Sequence, residues 1–424
     1  LPLDLPETWQ VVGFLEPNAV SPVDDPAAAI AESLANPIGL APLADLIQSD
    51  FQITFVLDDI SRPTPVHLMV PQVLACLAEA GVPGERIRFV PALGLHRPMT
   101  LEEVRGRTGL PDLTADQVVN PACDDLEGMA RLGETSRGTP VFIDRTVAEA
   151  DLVISVGCIE PHIIASFGGG YKNIVPGTAG RPTIAHNHSL NATPQTFNMV
   201  GAPIPENPMR QDLEEAAAML NPPVFIINTV LDADLNLVRV VAGDPVAAHR
   251  AGCETSARLF GVPVETPADV VITNSFPMDS DLRQGVKALA NSIRAVRKGG
   301  VMITMVRAEE GVGVFGLAEK KLPLGRGALR LLAPLLIPLV PKLKLKSMGE
   351  EDRFFLYFAL QAMRHATLIM VAPTIPEDVK ANLPFVTFED SLADALEKAR
   401  TKVPGQAEVL IFPNGGTTYP DLSR

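Results

Sequence analysis

Gln52 to Val90 reads "QITFVLDDISRPTPVHLMVPQVLACLAEAGVPGERIRFV" and decides the fold. "QITFVL" is a short apolar run rich in β-formers, and "RIRFV" from Arg86 is a second. Between them, Pro65 to Ala80 has a helix-like apolar pattern and is closed by Gly81. Strand, helix, strand in that order, with near-continuous apolar strands, predicts an α/β fold whose sheet is largely parallel and buried on both faces.

The same alternation continues outward. "LVISVG" from Leu152, "VFIINTVL" from Val224 and "LVRVVAG" from Leu237 extend the first series, with long polar connections that indicate mixed winding. After the Pro-rich "PVETPADVV", between Pro263 and Asp269, a second series begins. It has "VVITNSFP" from Val270, a helix from about Asp281 to Arg297 closed by "KGG", "VMITMV" from Val301, "TLIMVAP" from Thr367 and "VTFED" from Val386. The reading is two α/β domains with mixed, largely parallel sheets and a cleft between them, over residues 1–265 and 270–399. The tail strand "EVLIFPNGG" from Glu408 could close either; the segment 400–424 is expected to complete the N-terminal domain.

A chain of 424 residues is too long for one ordinary core. Its hydrophobic content is 46% but its aromatic content only 5%, so Val, Ile, Leu and Ala build the cores. A formal net charge of −15 argues against nucleic acid, whose binding is driven by Lys and Arg neutralising phosphates. Four dispersed cysteines without a CxxC pair fit buried thiols in a reducing, cytoplasmic compartment. No secretory leader is visible, although the chain begins at Leu1 without a Met, so the start is expected to be incomplete. Leu329 to Lys346, "LRLLAPLLIPLVPKLKLK", mimics a membrane span but is broken by Pro334, Pro338 and Pro341 and falls short of roughly 20 apolar residues. It reads as a packing segment or a flap, with no membrane partner.

Function in open α/β sheets collects where strands end and loops begin. Four unusual segments are expected there. "LDDISRPTP" carries Asp58, Asp59, Ser61 and Arg62; "ALGLHRP" carries His96 and Arg97. "GCIEPHIIASFGGGYKNIVPG" carries Glu160, His162, Gly168, Gly169, Gly170 and Lys172, and "TNSFPMDSDLRQGVK" carries Gln284 and Lys287, three apart on one helix face. The glycine loop is neither a Walker loop, because Asn173 follows the lysine, nor a dinucleotide fingerprint, whose third glycine is missing. Its three glycines let backbone amides approach an anion closely, leaving Lys172 to meet it. His186 and His188 form an HxH pair that faces one way if it lies in a strand, and no further ligands stand at motif spacing.

In combination, the D-I-S-R-P, G-L-H-R, E-P-H, G-G-Y-K and Gln/Lys elements resemble, in order, those of the nickel-dependent lactate racemase family. The resemblance covers "DDISRPTP" to "AHNHS" and, more thinly, "DSDLRQGVK". It implies a cofactor-binding N-terminal domain holding a nickel-pincer nucleotide, bonded covalently to Lys172 and housed by Gly168, Gly169, Gly170 and Ser61. His188 resembles the protein's nickel ligand, and His96 and His162 the catalytic acid/base pair. Arg62, Gln284 and Lys287 resemble groups that orient the substrate, with Asp59 beside Arg62. The family's chemistry implies inversion of a small 2-hydroxy acid by reversible hydride transfer, and cofactor-maturation proteins as partners. This chain has Ser61 where the family often has Thr. Two other classes stay open on the residues alone: a metal-assisted hydrolase or lyase using His186 and His188, and a non-catalytic binder of organic anions. Which 2-hydroxy acid is bound, and the oligomeric state, are not legible.

Overall fold

The computed structural model describes residues 3–313, 315–319, 321–342 and 349–422. The first sheet has five strands in the order Leu237–Gly243, Val224–Leu231, Leu152–Cys158, Ile53–Asp58 and Ile87–Ala92. All neighbours run parallel except the Leu237 strand, which returns antiparallel to its predecessor. Side chains alternate between the two faces of a strand, and both faces are covered. Phe55 and Leu57 meet Met69, Val73 and Leu77 of the helix Val66–Glu79 on one side. Val56, Val153 and Ile226 meet Met209, Leu213 and Leu259 on the other. Phe55 stacks on Phe89 of the adjacent strand with ring centroids 5.0 Å apart. This double covering is why the strands read as continuous apolar runs.

The second sheet is wholly parallel, in the order Trp9–Phe14, Ala407–Phe412, Ala268–Asn274, Val296–Met305, Thr367–Val371 and Thr387–Glu389. Here the tail departs from expectation. The Ala407 strand joins this sheet rather than completing the first one, and Trp9–Phe14, near the start of the chain, forms the edge beside it. The reason lies in its burial: Val409 to Phe412 are buried throughout, which requires a neighbour on each side and a layer on each face. Only the last described strand, Tyr419–Asp421, turns back to pair with Gly261–Pro263.

The helix expected from about Asp281 to Arg297 ends at Ser292, passes through a single tight turn over Ile293–Ala295, and gives way to strand at Val296. "KGG" therefore lies inside the strand. The register shifts there, Gly299 has φ +87°, and a Cβ on Gly300 would meet the Asp269 carbonyl at 2.5 Å. Glycine makes this bulge possible. The Pro-rich stretch forms the helix Arg326–Leu336 with Pro334 inside it, then a short turn over Val340–Lys342; residues 343–346 of that stretch lie outside the described residues. Among the described residues no helix is long and apolar enough to cross a membrane.

Candidate active site

The two sheets direct their strand ends toward one cavity of about 160 Å³. The Ile53 strand ends at Asp58, and the turn after it carries Asp59 and Arg62. The Ile87 strand ends at Ala92, shortly before His96, and the Leu152 strand ends at Cys158, shortly before His162. From the second sheet comes the helix Leu282–Ser292, whose N-cap Asp281 accepts from the Gln284 amide at 2.7 Å. That cap fixes the first turn, so Gln284 and Lys287 face the cavity together. Asp59, Arg62, His96, His162, Lys172, His188, Gln284 and Lys287 all line this one space.

His96 is held at both ring nitrogens. Nδ1 donates to the buried Asp59 carboxylate, and Nε2 lies 3.2 Å from Arg283 Nη1. A guanidinium can only donate, so Nε2 presents its lone pair and the ring carries its proton on Nδ1. Burial opposes charge on Asp59, but the hydrogen bonds from His96 and Ser61 and the charge of Arg62 outweigh it and hold the carboxyl well below the usual range. His162 has the opposite polarity. Its Nδ1 accepts from the amides of Ile164 at 3.3 Å and Ala165 at 3.2 Å, which leaves the proton of the neutral ring on Nε2. Burial, reinforced by Lys172, Arg62, Lys287 and His188, pushes its pKa well below the ordinary value and keeps it neutral.

Arg62 is ion-paired with Glu160. Burial works against the guanidinium charge, but Glu160, Asp58 and Asp59 keep it firmly protonated. Two lysines face this positive centre. Burial, then the field of Arg62, lowers Lys172 to about 7 and Lys287 to about 8. Both amines are thereby moved toward the neutral, nucleophilic form near physiological pH. Gln284 leaves its Oε1 buried without a hydrogen-bond partner among the described residues, an acceptor that a donor on a bound molecule would satisfy.

Some expected residues are not brought to the cavity. Ser61 turns its hydroxyl onto Asp59, donating at 2.5 Å, and so steadies the carboxylate that holds His96. The glycine loop is not an open anion nest. Gly168 N donates to the Glu160 carbonyl at 2.8 Å and Gly170 N to Asn228 Oδ1 at 2.7 Å, so these amides are already spent on the protein. What the glycines provide is close packing: a Cβ on Gly169 would stand 2.7 Å from Asn228 Oδ1 and from Ile159. The HxH pair lies on the helix Arg181–Ser189, not on a strand, so residues two apart point to different sides. His186 Nδ1 meets Thr139 Oγ1 at 2.8 Å while His188 faces the cavity, which removes the pairing that the hydrolase reading needs. No cluster of three or more His, Cys, Asp or Glu side chains able to hold a metal ion occurs among the described residues.

Sequence reasoning missed Arg283, although it immediately precedes Gln284 in a segment already singled out. It also missed Phe354 and Phe355, which close the cavity from the helix Glu350–His365. Nothing local marks that helix as part of a site; only its packing brings it there.

Fold and site together define an α/β protein in which two histidines and a set of cations line one cavity between a mixed and a parallel sheet. Residues 1–198 match the lactate racemase N-terminal domain family. A lactate racemase of Lactiplantibacillus plantarum is 31% identical over 395 residues, covering 91% of this chain and 89% of that protein. One from Thermoanaerobacterium thermosaccharolyticum is 28% identical, covering 91% and 88%. The structure of the lactate racemase apoprotein from the latter organism superposes with a TM-score of 0.84 at 27% identity, over 99% of this chain and 97% of that one. A crystal structure of a Thermotoga maritima protein shares the fold, with a TM-score of 0.70 at 17% identity over 95% of this chain. The chain belongs to the lactate racemase family, and it is an isomerase of the racemase type.

Proposed function

We propose that this protein inverts the C2 centre of a small 2-hydroxy acid in the cytoplasm, using a nickel-pincer nucleotide tethered at Lys172, with His188 as the metal ligand, and loaded by maturation proteins. The observation that carries the reading is the pair of oppositely poised imidazoles, His96 with a lone pair and His162 with an N–H, in one cavity with Arg62 and Lys287. The residues present fit the cofactor. Lys172 Nζ makes no hydrogen bond among the described residues, is biased toward its neutral form, and shares the cavity with His188.

When bound, the cofactor supplies a hydride-accepting centre, which a 2-hydroxy acid needs because its α C–H is too weakly acidic for a protein base. His96 takes the hydroxyl proton at Nε2, and Asp59 stabilises the imidazolium so formed. The substrate displaces Arg283 from that nitrogen on entry. His162 hydrogen-bonds the substrate oxygen through Nε2–H from its own side without giving up its proton, and His96 returns the hydroxyl proton once C2 has been re-formed with inverted configuration. Arg62 offers two parallel N–H groups to the carboxylate, and Lys287 adds a point charge. Phe354, Phe355 and Val286 exclude water from the opposite side, which strengthens each of these interactions.

The test is intact mass and peptide mapping of protein co-produced with the maturation proteins, together with enantiomer interconversion over a panel of 2-hydroxy acids. A nickel-containing adduct on Lys172 and inversion of at least one acid are expected. An active, nickel-loaded protein with unmodified Lys172 would overturn the tether.

A further inference from the structure

Beneath the glycine loop, outside the lining of the cavity, lies a buried charged cluster that the chemistry above does not use. Arg210, on the helix Pro208–Ala217, is wholly buried. Its guanidinium donates to three consecutive carbonyls: Nη2 to Phe167 at 3.2 Å and Gly168 at 3.4 Å, and both Nη1 and Nη2 to Gly169 at 3.2 Å. Glu214, one turn along the same helix, is 3.4 Å from Nε and also pairs with Arg250 at 2.6 Å. His249 completes the cluster, with Nδ1 accepting from Arg250 at 2.9 Å and Nε2 within 2.8 Å of the Gly168 carbonyl. Burial and the two neighbouring guanidiniums push the His249 pKa well down, so the ring is neutral, and its Nε2 also lies against Nη2 of Arg210.

Burying a guanidinium completely costs several kcal/mol unless its donors are matched. Here main-chain carbonyls match the Nη groups, while Nε makes no hydrogen bond among the described residues and has the Glu214 charge 3.4 Å away; aiming three successive carbonyls at a single group demands an unusual backbone. Gly169 has φ +73° and Gly170 φ +61°, conformations that L side chains rarely adopt. A Cβ on Gly170 would stand 2.9 Å from the His249 ring. The Gly169 carbonyl that receives both Arg210 N–H groups also accepts from the Lys172 amide at 3.2 Å. One oxygen thus joins the buried cation to the backbone of the reactive lysine.

We propose that Arg210 is a positioning residue: it gathers the Phe167–Gly169 carbonyls from behind and so sets the turn that delivers the Lys172 amine into the cavity. The inference depends on the proposed function only for what the amine is for; the geometry stands without it. The groups whose charge reaches Lys172 are Arg62, Asp58, Glu160 and Arg210, and Arg210 alone of these stands on a helix rather than at a strand end of the first sheet or in the loop after it.

The experiment uses the full cofactor-free chain and competitive acetylation with acetic anhydride, read by peptide mass spectrometry across neutral to alkaline pH. Lys287, in the same cavity, is the internal reference. Wild type is expected to show midpoints of about 7 for Lys172 and about 8 for Lys287. Arg210→Lys keeps the charge but loses the fork, so the Lys172 midpoint rises by roughly one unit or more, equivalent to a tenfold change in the neutral fraction, while Lys287 stays. A folded Arg210→Lys protein in which neither lysine moves, or both move together, overturns the proposal. Should that variant not fold, His249→Gln, which changes the neighbour of both the Gly168 carbonyl and the Arg210 guanidinium, is read by the same criterion. Failure of the tether is distinguishable, because it appears as a missing Lys172 adduct in loaded wild type and leaves the labelling result intact.

Discussion

Asp59 accepts from Nδ1 of His96, and the same carboxylate takes the Ser61 hydroxyl at 2.5 Å and the Ser61 amide at 3.0 Å. The carboxylate thus fixes which nitrogen of His96 carries the proton and which presents a lone pair. Asp59→Asn is expected to lower the racemisation rate by about 10²–10⁴-fold with little change in KM, because an amide can hold the ring in the wrong tautomer. A loss smaller than threefold would show that His96 needs no such support. Asp59 has a folded pKa below its unfolded one, so its stabilisation is present above the ordinary carboxylate range and disappears as pH falls through the lowered value.

Lys172 and Lys287 carry the opposite linkage sign to salt-bridged lysines. Between about 7 and the ordinary value of 10.5, the unfolded chain binds a proton at Lys172 that the folded chain does not. Stability from this group therefore rises with pH across that window. Urea midpoints at roughly pH 7 and pH 9 should show a larger gain for wild type than for Lys172→Met. Equal gains would mean that the lysine is not buried in solution.

Arg62→Lys separates charge from geometry. The bidentate fork is lost and the Glu160 partner is retained, so KM for the 2-hydroxy acid is expected to rise about tenfold or more, with kcat falling less. Steady-state kinetics on loaded enzyme decide it; an unchanged KM would place the carboxylate on Lys287 instead.

Gly169→Ala forces a Cβ to within 2.7 Å of Asn228 Oδ1 at a φ of +73°. The expected cost is about 1–3 kcal/mol of stability, read as a lower urea midpoint. Asn228→Ala in the same background should recover part of it by removing the collision. No recovery would locate the cost in the backbone strain, the Ile159 contact and the Gly170 amide that loses Asn228.

The alternation between Gln52 and Val90 was enough to read a parallel α/β layer, because a strand buried on both faces has little choice but to be apolar throughout. His96, His162, Arg62 and Lys172 were legible for a related reason. Loops at strand ends carry few structural constraints, so clustered polar chemistry stands out there. The glycine loop shows the limit: its composition announced an unusual backbone but not which partner required it, and the amides turned out to be bonded within the protein.

By itself, then, the sequence determined the alternating strands and helices and the motif residues, all of which rest on interactions within a few positions of one another. Tertiary structure decided the rest. It placed the Ala407 strand between Trp9–Phe14 and Ala268–Asn274, turned His186 away from His188, and brought Arg283 to His96 across 187 positions of chain. It also put Arg210 under the glycine loop. Such pairings are set by how two sheets and their helices fill space against each other, and close packing leaves no local trace of which distant side chain will complete a site.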